Sequence, residues 1–184
     1  MIEAELKARV HDPERLREQL SGLAAGEESI YRDVYYDWPG RQLTTARQEL
    51  RVRRIVTAGD ERSVLTYKEP AVDAVSDSRP EHESMVSDAA AVDAMLRGLG
   101  LLPFVAFEKH CTNYRFTARG RDMLATVVRV PELDGTFLEV ETMATEDSTT
   151  VALTDVRAVF AQLGISEGEL TSEQYTEAVI NARR

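Results

Sequence analysis

The chain opens with IEAELKARV, in which Glu3, Glu5 and Lys7 alternate with Ala4, Leu6 and Ala8. A period of two marks a β-strand, whose successive side chains point to opposite faces. One face of this strand is charged and the other apolar. The pattern returns along the chain. QELRVRRIV sets Arg51 and Arg53 against Leu50 and Val52, LTYKEP adds Lys68, and RPEHES aligns Arg79, Glu81 and Glu83. FEKHC offers Lys109, and TFLEVET places Phe137, Glu139 and Glu141 against Leu138 and Val140. One such strand is most simply an edge wetted on one side. Several, carrying both signs of charge, leave many apolar faces that need a second layer to cover them.

Helices supply that layer. DPERLREQLSGLAAG has Asp12 as N-cap, Pro13 at the first helical position, and Leu16, Leu20 and Leu23 spaced three to four apart. SDAAAVDAMLRGLG predicts a helix that starts after Ser87 or Asp88 and stops at Gly98 or Gly100, and TDVRAVFAQLG predicts another from Thr154 to Gly164. The terminal SEQYTEAVINARR is helix-like, and it covers a barrel mouth, dimerises or lies on the surface. SIYRDVYYDW and MLATVVRV add further strands, WPGR, TAGDE and ELDGT read as turns, and AVDAVSDSR reads as a mobile loop. Crossover helices are too few for a doubly wound parallel sheet. The expectation is an α+β fold in a single domain over 1–184: an antiparallel barrel with helices packed on its outside. Its charged faces would line the lumen, where each charge must be paired or ligated.

A formal net charge of -10 disfavours a general nucleic-acid binder, though it leaves room for a local basic pocket. Cys111 is the sole cysteine, so no intrachain disulfide forms and a reducing compartment is expected. No apolar run approaches the ~20 residues that span a bilayer, and the charged N-terminus lacks a signal-peptide core. These features predict a cytoplasmic protein that binds neither membrane nor nucleic acid. His11, His82 and His110 share no spacing that suggests zinc. Tyr35, Tyr36 and Trp38 read as core or rim aromatics, and Cys111 as a packing residue.

A lumen holding Glu3, Glu5, Glu81, Glu83, Glu139 and Glu141 together with Lys7, Arg51, Arg53, Lys68, Arg79 and Lys109 suits phosphoanhydride chemistry. Glutamate oxygens bind a hard divalent ion such as Mg²⁺ or Mn²⁺, and arginine forks and ammonium groups neutralise phosphate oxygens. Neither GxxxxGK[ST] nor GxGxxG occurs, so phosphate binding would rest on side chains.

With these residues in place, the sequence resembles the CYTH family, the triphosphate tunnel metalloenzymes, and within it the class IV adenylyl cyclase-like branch. Glu3-Ala4-Glu5-Leu6-Lys7 matches the family's ExExK signature, and YRDVYYD, ELRVRR, TYKEP, RPEHE, EKHC and GTFLEVE follow in the family's order over nearly the whole chain. The resemblance implies an eight-stranded antiparallel tunnel. It implies metal-site carboxylates at Glu3, Glu5, Glu139 and Glu141, and triphosphate-binding cations at Lys7, Arg51, Arg53, Lys68, Arg79 and Lys109. Of these, Lys7, Arg53 and Lys109 are the expected catalytic cations, with Glu81 and Glu83 in support. It further implies a small-molecule triphosphate substrate (ATP, inorganic triphosphate or thiamine triphosphate) and a monomer or homodimer. The reaction is then cyclisation of ATP to cyclic AMP and pyrophosphate, or triphosphate hydrolysis; a binding module without turnover is the remaining alternative. The chain departs from the family pattern twice. Cys111 stands where an arginine is usual, and Ala125 where an aspartate is usual, with Asp122 and Asp134 as the nearby acids.

Overall fold

The computed structural model describes residues 1–71, 76 and 78–184. Most of the loop AVDAVSDSR, at 72–75 and 77, lies outside the described residues. The alternating segments form eight strands: β1 (Ile2–Val10), β2 (Gly26–Asp37), β3 (Glu49–Val56), β4 (Glu61–Lys68), β5 (Arg79–Val86), β6 (Leu102–Ala118), β7 (Arg121–Arg129) and β8 (Thr136–Ala144). They close into an antiparallel ring in the order β1-β5-β4-β3-β2-β6-β7-β8. Two meanders, β2 to β5 and β6 to β8, join side by side through β2 and β6, and β1 closes the ring between β5 and β8. The closure is uneven. β1 follows β8 from Ile2↔Ala144 to Val10↔Thr136 but meets β5 at just Ile2↔Pro80 and Glu3↔Arg79.

Five helices accompany the ring: α1 (Pro13–Ser21), α2 (Gln42–Thr45), α3 (Ala89–Gly98), α4 (Thr149–Gln162) and α5 (Tyr175–Ala182). Asp12 caps α1 by accepting from the Arg15 backbone N–H at 3.1 Å, and Asp88 caps α3 through the N–H groups of Ala90 and Ala91. Helix α4 starts at Thr149, five residues before the predicted Thr154. The β-branched run Thr149, Thr150, Val151 is a poor helix former and hid the start. A capping box between Thr145 and Ser148 closes the 3₁₀ turn Glu146–Ser148 that leads into it, and Thr149 faces the core. The short α2 went unpredicted. It is held by Asp37, whose carboxylate accepts from the backbone N–H groups of Leu43 at 2.9 Å and Thr44 at 3.0 Å.

The layering is inverted relative to a small barrel with an oily centre. Ala4, Leu6 and Ala8 of β1 and Leu138 and Val140 of β8 point outward, where Ala152, Val156, Val159 and Phe160 of α4 and Leu16 and Leu20 of α1 cover them. A second outer cluster joins Leu96 of α3 to Tyr36, Leu43 and Val52. The lumen is not charged throughout, however. Tyr35, Phe107, Cys111 and Phe137 share strand faces with charged neighbours two residues away, yet with Val128 they pack against Tyr175 and Val179 of α5 into an apolar plug. Of the roles considered for the C-terminal helix, the one seen is to cover this end. A two-residue turn, Arg119 and Gly120, both at positive φ (56° and 73°), makes the β6–β7 hairpin.

The outer layer predicts where stability resides. Phe160 is 2% exposed between α4 and the sheet. Phe160→Ala is expected to lose about 3–5 kcal/mol in urea titration, the range for a buried aromatic replaced by a cavity.

Candidate active site

The inward strand faces surround a cavity of about 320 Å³. Register explains why these side chains converge. Glu5 lies opposite Glu141 and Lys7 opposite Glu139 across β1 and β8, while Lys68 lies opposite Glu81 across β4 and β5. Of the predicted site residues, all line this cavity except Arg79. Arg79 is buried beside Glu3 and lines an adjoining cavity of about 410 Å³, which shares Tyr35, Glu49, Gln174 and Thr176 with the first. The view of these strands as wetted edges is thereby set aside for the cavity face.

Buried charges here are matched by close partners. The Lys68 ammonium is 2.6 Å from Glu81 and 3.3 Å from Glu3, and Lys109 is 3.6 Å from Glu139. Arg51 lies within 3.5 Å of Glu81 and 3.8 Å of Glu49. A two-pronged pair joins β3 to β2: Arg53 donates from Nε and Nη2 to the two oxygens of Asp33, each at 2.7 Å. Asp33 is 1% exposed, and the Arg53 guanidinium also sits 4.4 Å from the Tyr31 ring centre. Burial alone would raise the Asp33 pKa, but the charge and hydrogen bonds of Arg53 hold it well below the carboxylate range.

On the opposite wall, Glu3, Glu5 and Glu141 face one another, each offering a carboxylate oxygen within 4.8 Å of the others. Burial raises the Glu3 pKa, and the Glu81 charge adds to it against Lys68; burial and the charges of Glu3 and Glu5 push Glu141 well above its ordinary value. Three acids that resist ionising together are a set that a hard divalent cation would stabilise, and oxygen is the donor it prefers. The residues therefore fit such an ion. Glu139 stands apart from this trio: against burial, Lys109 and Lys7 keep its pKa low. Toward the other mouth the lining becomes apolar, with Ile55, Val64 and Leu124 beside Arg62 and Arg115.

One expectation needs correction. Ala125 is fully buried under the helices, opposite Val140, so its side chain faces away from the lumen. The lumen positions of β7 are Leu124 and Thr126, and Asp122 and Asp134 are exposed. The missing β7 carboxylate is real at the lumen, but Ala125 does not mark its place. Cys111 does belong to the apolar plug, and burial pushes its thiol up to about 12, so it is a packing residue. Asp33, Glu49 and Tyr175 were not predicted. Asp33 and Glu49 were within reach, because each continues a period-two face, with Tyr31 and Tyr35 or with Arg51. Tyr175 comes from a distant helix and leaves no such signal.

Asp33 gives a pH-dependent test. Its folded pKa is depressed, so its contribution is complete above the unfolded value near ~3.9 and fades as pH falls toward the folded value. Asp33→Asn is expected to lose roughly 3–5 kcal/mol at neutral pH by leaving Arg53 unpaired. Urea titrations at neutral pH and at about pH 3 should show the gap to wild type narrowing in acid. An equal gap at both would contradict the assignment.

The sequence model of the CYTH domain matches residues 1–175. A Methanocaldococcus jannaschii protein provisionally named an adenylate cyclase is 26% identical over 96% of this chain and 98% of its own length. Among solved structures, the PH1819 protein of Pyrococcus horikoshii superposes with a TM-score of 0.84 at 25% identity, covering 99% of each chain. The Hippeastrum protein HpAC1, described as having a dominant triphosphatase activity, superposes at 0.66 with 15% identity over 98% of this chain and 96% of its own. With its eight strands closed into a ring and a family match over nearly its whole length, the chain belongs to the CYTH domain family.

Proposed function

We propose that the protein binds a metal-complexed triphosphate in the 320 Å³ cavity and breaks a phosphoanhydride bond, with ATP cyclisation as the reaction. One observation carries this reading: three mutually facing carboxylates, buried or half-buried, stand in one cavity with lysines and arginines. Glu3, Glu5 and Glu141 would hold Mg²⁺ or Mn²⁺. The ion would neutralise phosphate oxygens and draw charge from the bond being broken. Lys7, Arg51, Arg53, Lys68 and Lys109 would bind phosphate oxygens, the arginines as forks and the lysines as point charges. Arg53 enters this set already oriented by Asp33, with Nη1 left for the ligand. Glu139 sets the position of Lys109, and Glu81 that of Lys68 and Arg51.

The mouth favours a substrate with an organic group. Ile55, Val64 and Leu124 add apolar surface to the lining, with the Tyr31 ring, against which a nucleobase would leave water. The ribose 3′-oxygen would then attack the α-phosphorus and release pyrophosphate. The M. jannaschii relative's name supports this choice. Triphosphate hydrolysis is the second reading, favoured by the belt itself, which recognises phosphates whatever they are attached to, and by the activity described for HpAC1. A small-molecule substrate, and no helix among the described residues able to cross a membrane, accord with a cytoplasmic site of action.

Incubation with ATP, inorganic triphosphate and thiamine triphosphate, each with Mg²⁺ or Mn²⁺, and product masses separate the readings. Cyclic AMP supports cyclisation, orthophosphate release supports hydrolysis, and binding without product supports a non-catalytic module. Chelation of the metal is expected to abolish turnover. Glu141→Gln is expected to lower it by about 100-fold or more, since even outer-shell changes at metal sites cost about 10–100-fold. Unchanged turnover in Glu141→Gln would overturn the metal assignment.

A further inference from the structure

Helix α5 does more than cover the barrel. Its first residue, Tyr175, reaches into the closed end of the cavity and is 7% exposed. The ring stands edge-on to Phe137, with centroids 5.3 Å apart at 87°. Two ammonium groups lie against that ring: Lys7 at 4.4 Å and Lys109 at 4.2 Å from its centre. These attractions fix both lysines while leaving their remaining donors unassigned by the ring.

The segment that delivers Tyr175 is pinned beside Lys7. Leu170 bridges to Ala8, the Thr171 N–H donates to the Lys7 carbonyl at 2.8 Å, and the Lys7 ammonium donates to the Glu173 carbonyl. Arg9 adds an ion pair to Glu173 at 3.4 Å. A strap held this closely to β1 places the tyrosine with little freedom.

The hydroxyl is the part that this packing does not account for. It is buried at the cavity wall against the Glu139 carboxylate; burial and that charge raise its pKa, yet it makes no hydrogen bond of full geometry to the carboxylate or to any other described group. A buried, unpaired hydroxyl destabilises a fold, and native proteins rarely retain one without a use. Its surroundings name the missing acceptor. Glu139 already gives Lys7 and Lys109 one anion, and a phosphate oxygen entering beside the two ammonium groups would be a second, able to accept from the hydroxyl as well.

We propose that Tyr175 is a substrate-contacting residue, whose hydroxyl donates to a phosphate oxygen held between Lys7 and Lys109 at the closed end of the cavity. The C-terminal helix is then part of the substrate site, and the phosphate it meets is the one most distant from the open mouth. This inference rests on the triphosphate reading above and adds to it the residue that recognises the terminal phosphate.

Tyr175→Phe keeps the ring, and with it the lysine contacts, and removes the hydroxyl alone. Calorimetric titration with inorganic tripolyphosphate and Mg²⁺ is expected to show affinity about tenfold to a hundredfold weaker than wild type, the scale of a hydrogen bond to a charged group. The melting temperature without ligand should stay the same or rise, because an unpaired buried group has gone. In wild-type protein carrying ¹³Cζ-labelled tyrosine, the resonance absent from Tyr175→Phe should move when tripolyphosphate is added. Unchanged affinity, or a lower melting temperature at unchanged affinity, would overturn the inference and leave the triphosphate reading standing. Failure of wild-type protein to bind tripolyphosphate would overturn both.

Discussion

Charge pairing inside the ring is the condition on which the rest of this structure depends. A carboxylate or ammonium taken from water is tolerated when a counter-charge lies within a few ångströms, and this barrel supplies those partners across strand boundaries. Lys68 of β4 meets Glu3 of β1 and Glu81 of β5, Lys109 of β6 meets Glu139 of β8, and Arg53 of β3 meets Asp33 of β2. Each pair joins two elements, so register and charge placement are one specification. A slip of one residue in any strand would send its charges under the helices and its leucines and valines into the lumen.

The pairing is uneven, and the unevenness is where chemistry becomes possible. Asp33 takes both of its bonds from Arg53 along one edge of the guanidinium, which makes Arg53 a fixed group. Glu3, Glu5 and Glu141 crowd together without enough cation between them, which leaves a place for one. The apolar plug of Phe107, Cys111, Val128 and Phe137 closes the far end, and with water excluded there the electrostatic forces on a bound phosphate are stronger. The outer helices make this arrangement affordable, since burial of the opposite strand faces under α1, α3 and α4 supplies the stability that a charged lumen does not.

Much of this was legible in the sequence because strand periodicity carries two kinds of information at once. The alternation of Glu3, Glu5 and Lys7 with Ala4, Leu6 and Ala8 states both that a strand exists and that its two faces differ. The same holds for Arg51 and Arg53, and for Glu139 and Glu141, and the ring unites those faces. What was not legible depends on relations that no local pattern encodes. Tyr175 reaches the cavity from a helix that follows all eight strands. Arg79 follows the face pattern but opens on the adjoining cavity. Ala125 was assigned to the lumen by motif position, whereas its strand parity places it outside. The beginning of α4 was hidden by threonine and valine, where the burial of Thr149 and Ala152 overrides local propensity.

The most direct test of a lumen built for metal and phosphate is crystallography with Mn²⁺ and tripolyphosphate, locating manganese by its anomalous scattering. The account predicts a peak held by Glu3, Glu5 and Glu141, with phosphate density running from it toward Lys7 and Lys109. Manganese confined to carboxylates on the outer surface, with only water inside the ring, would contradict it.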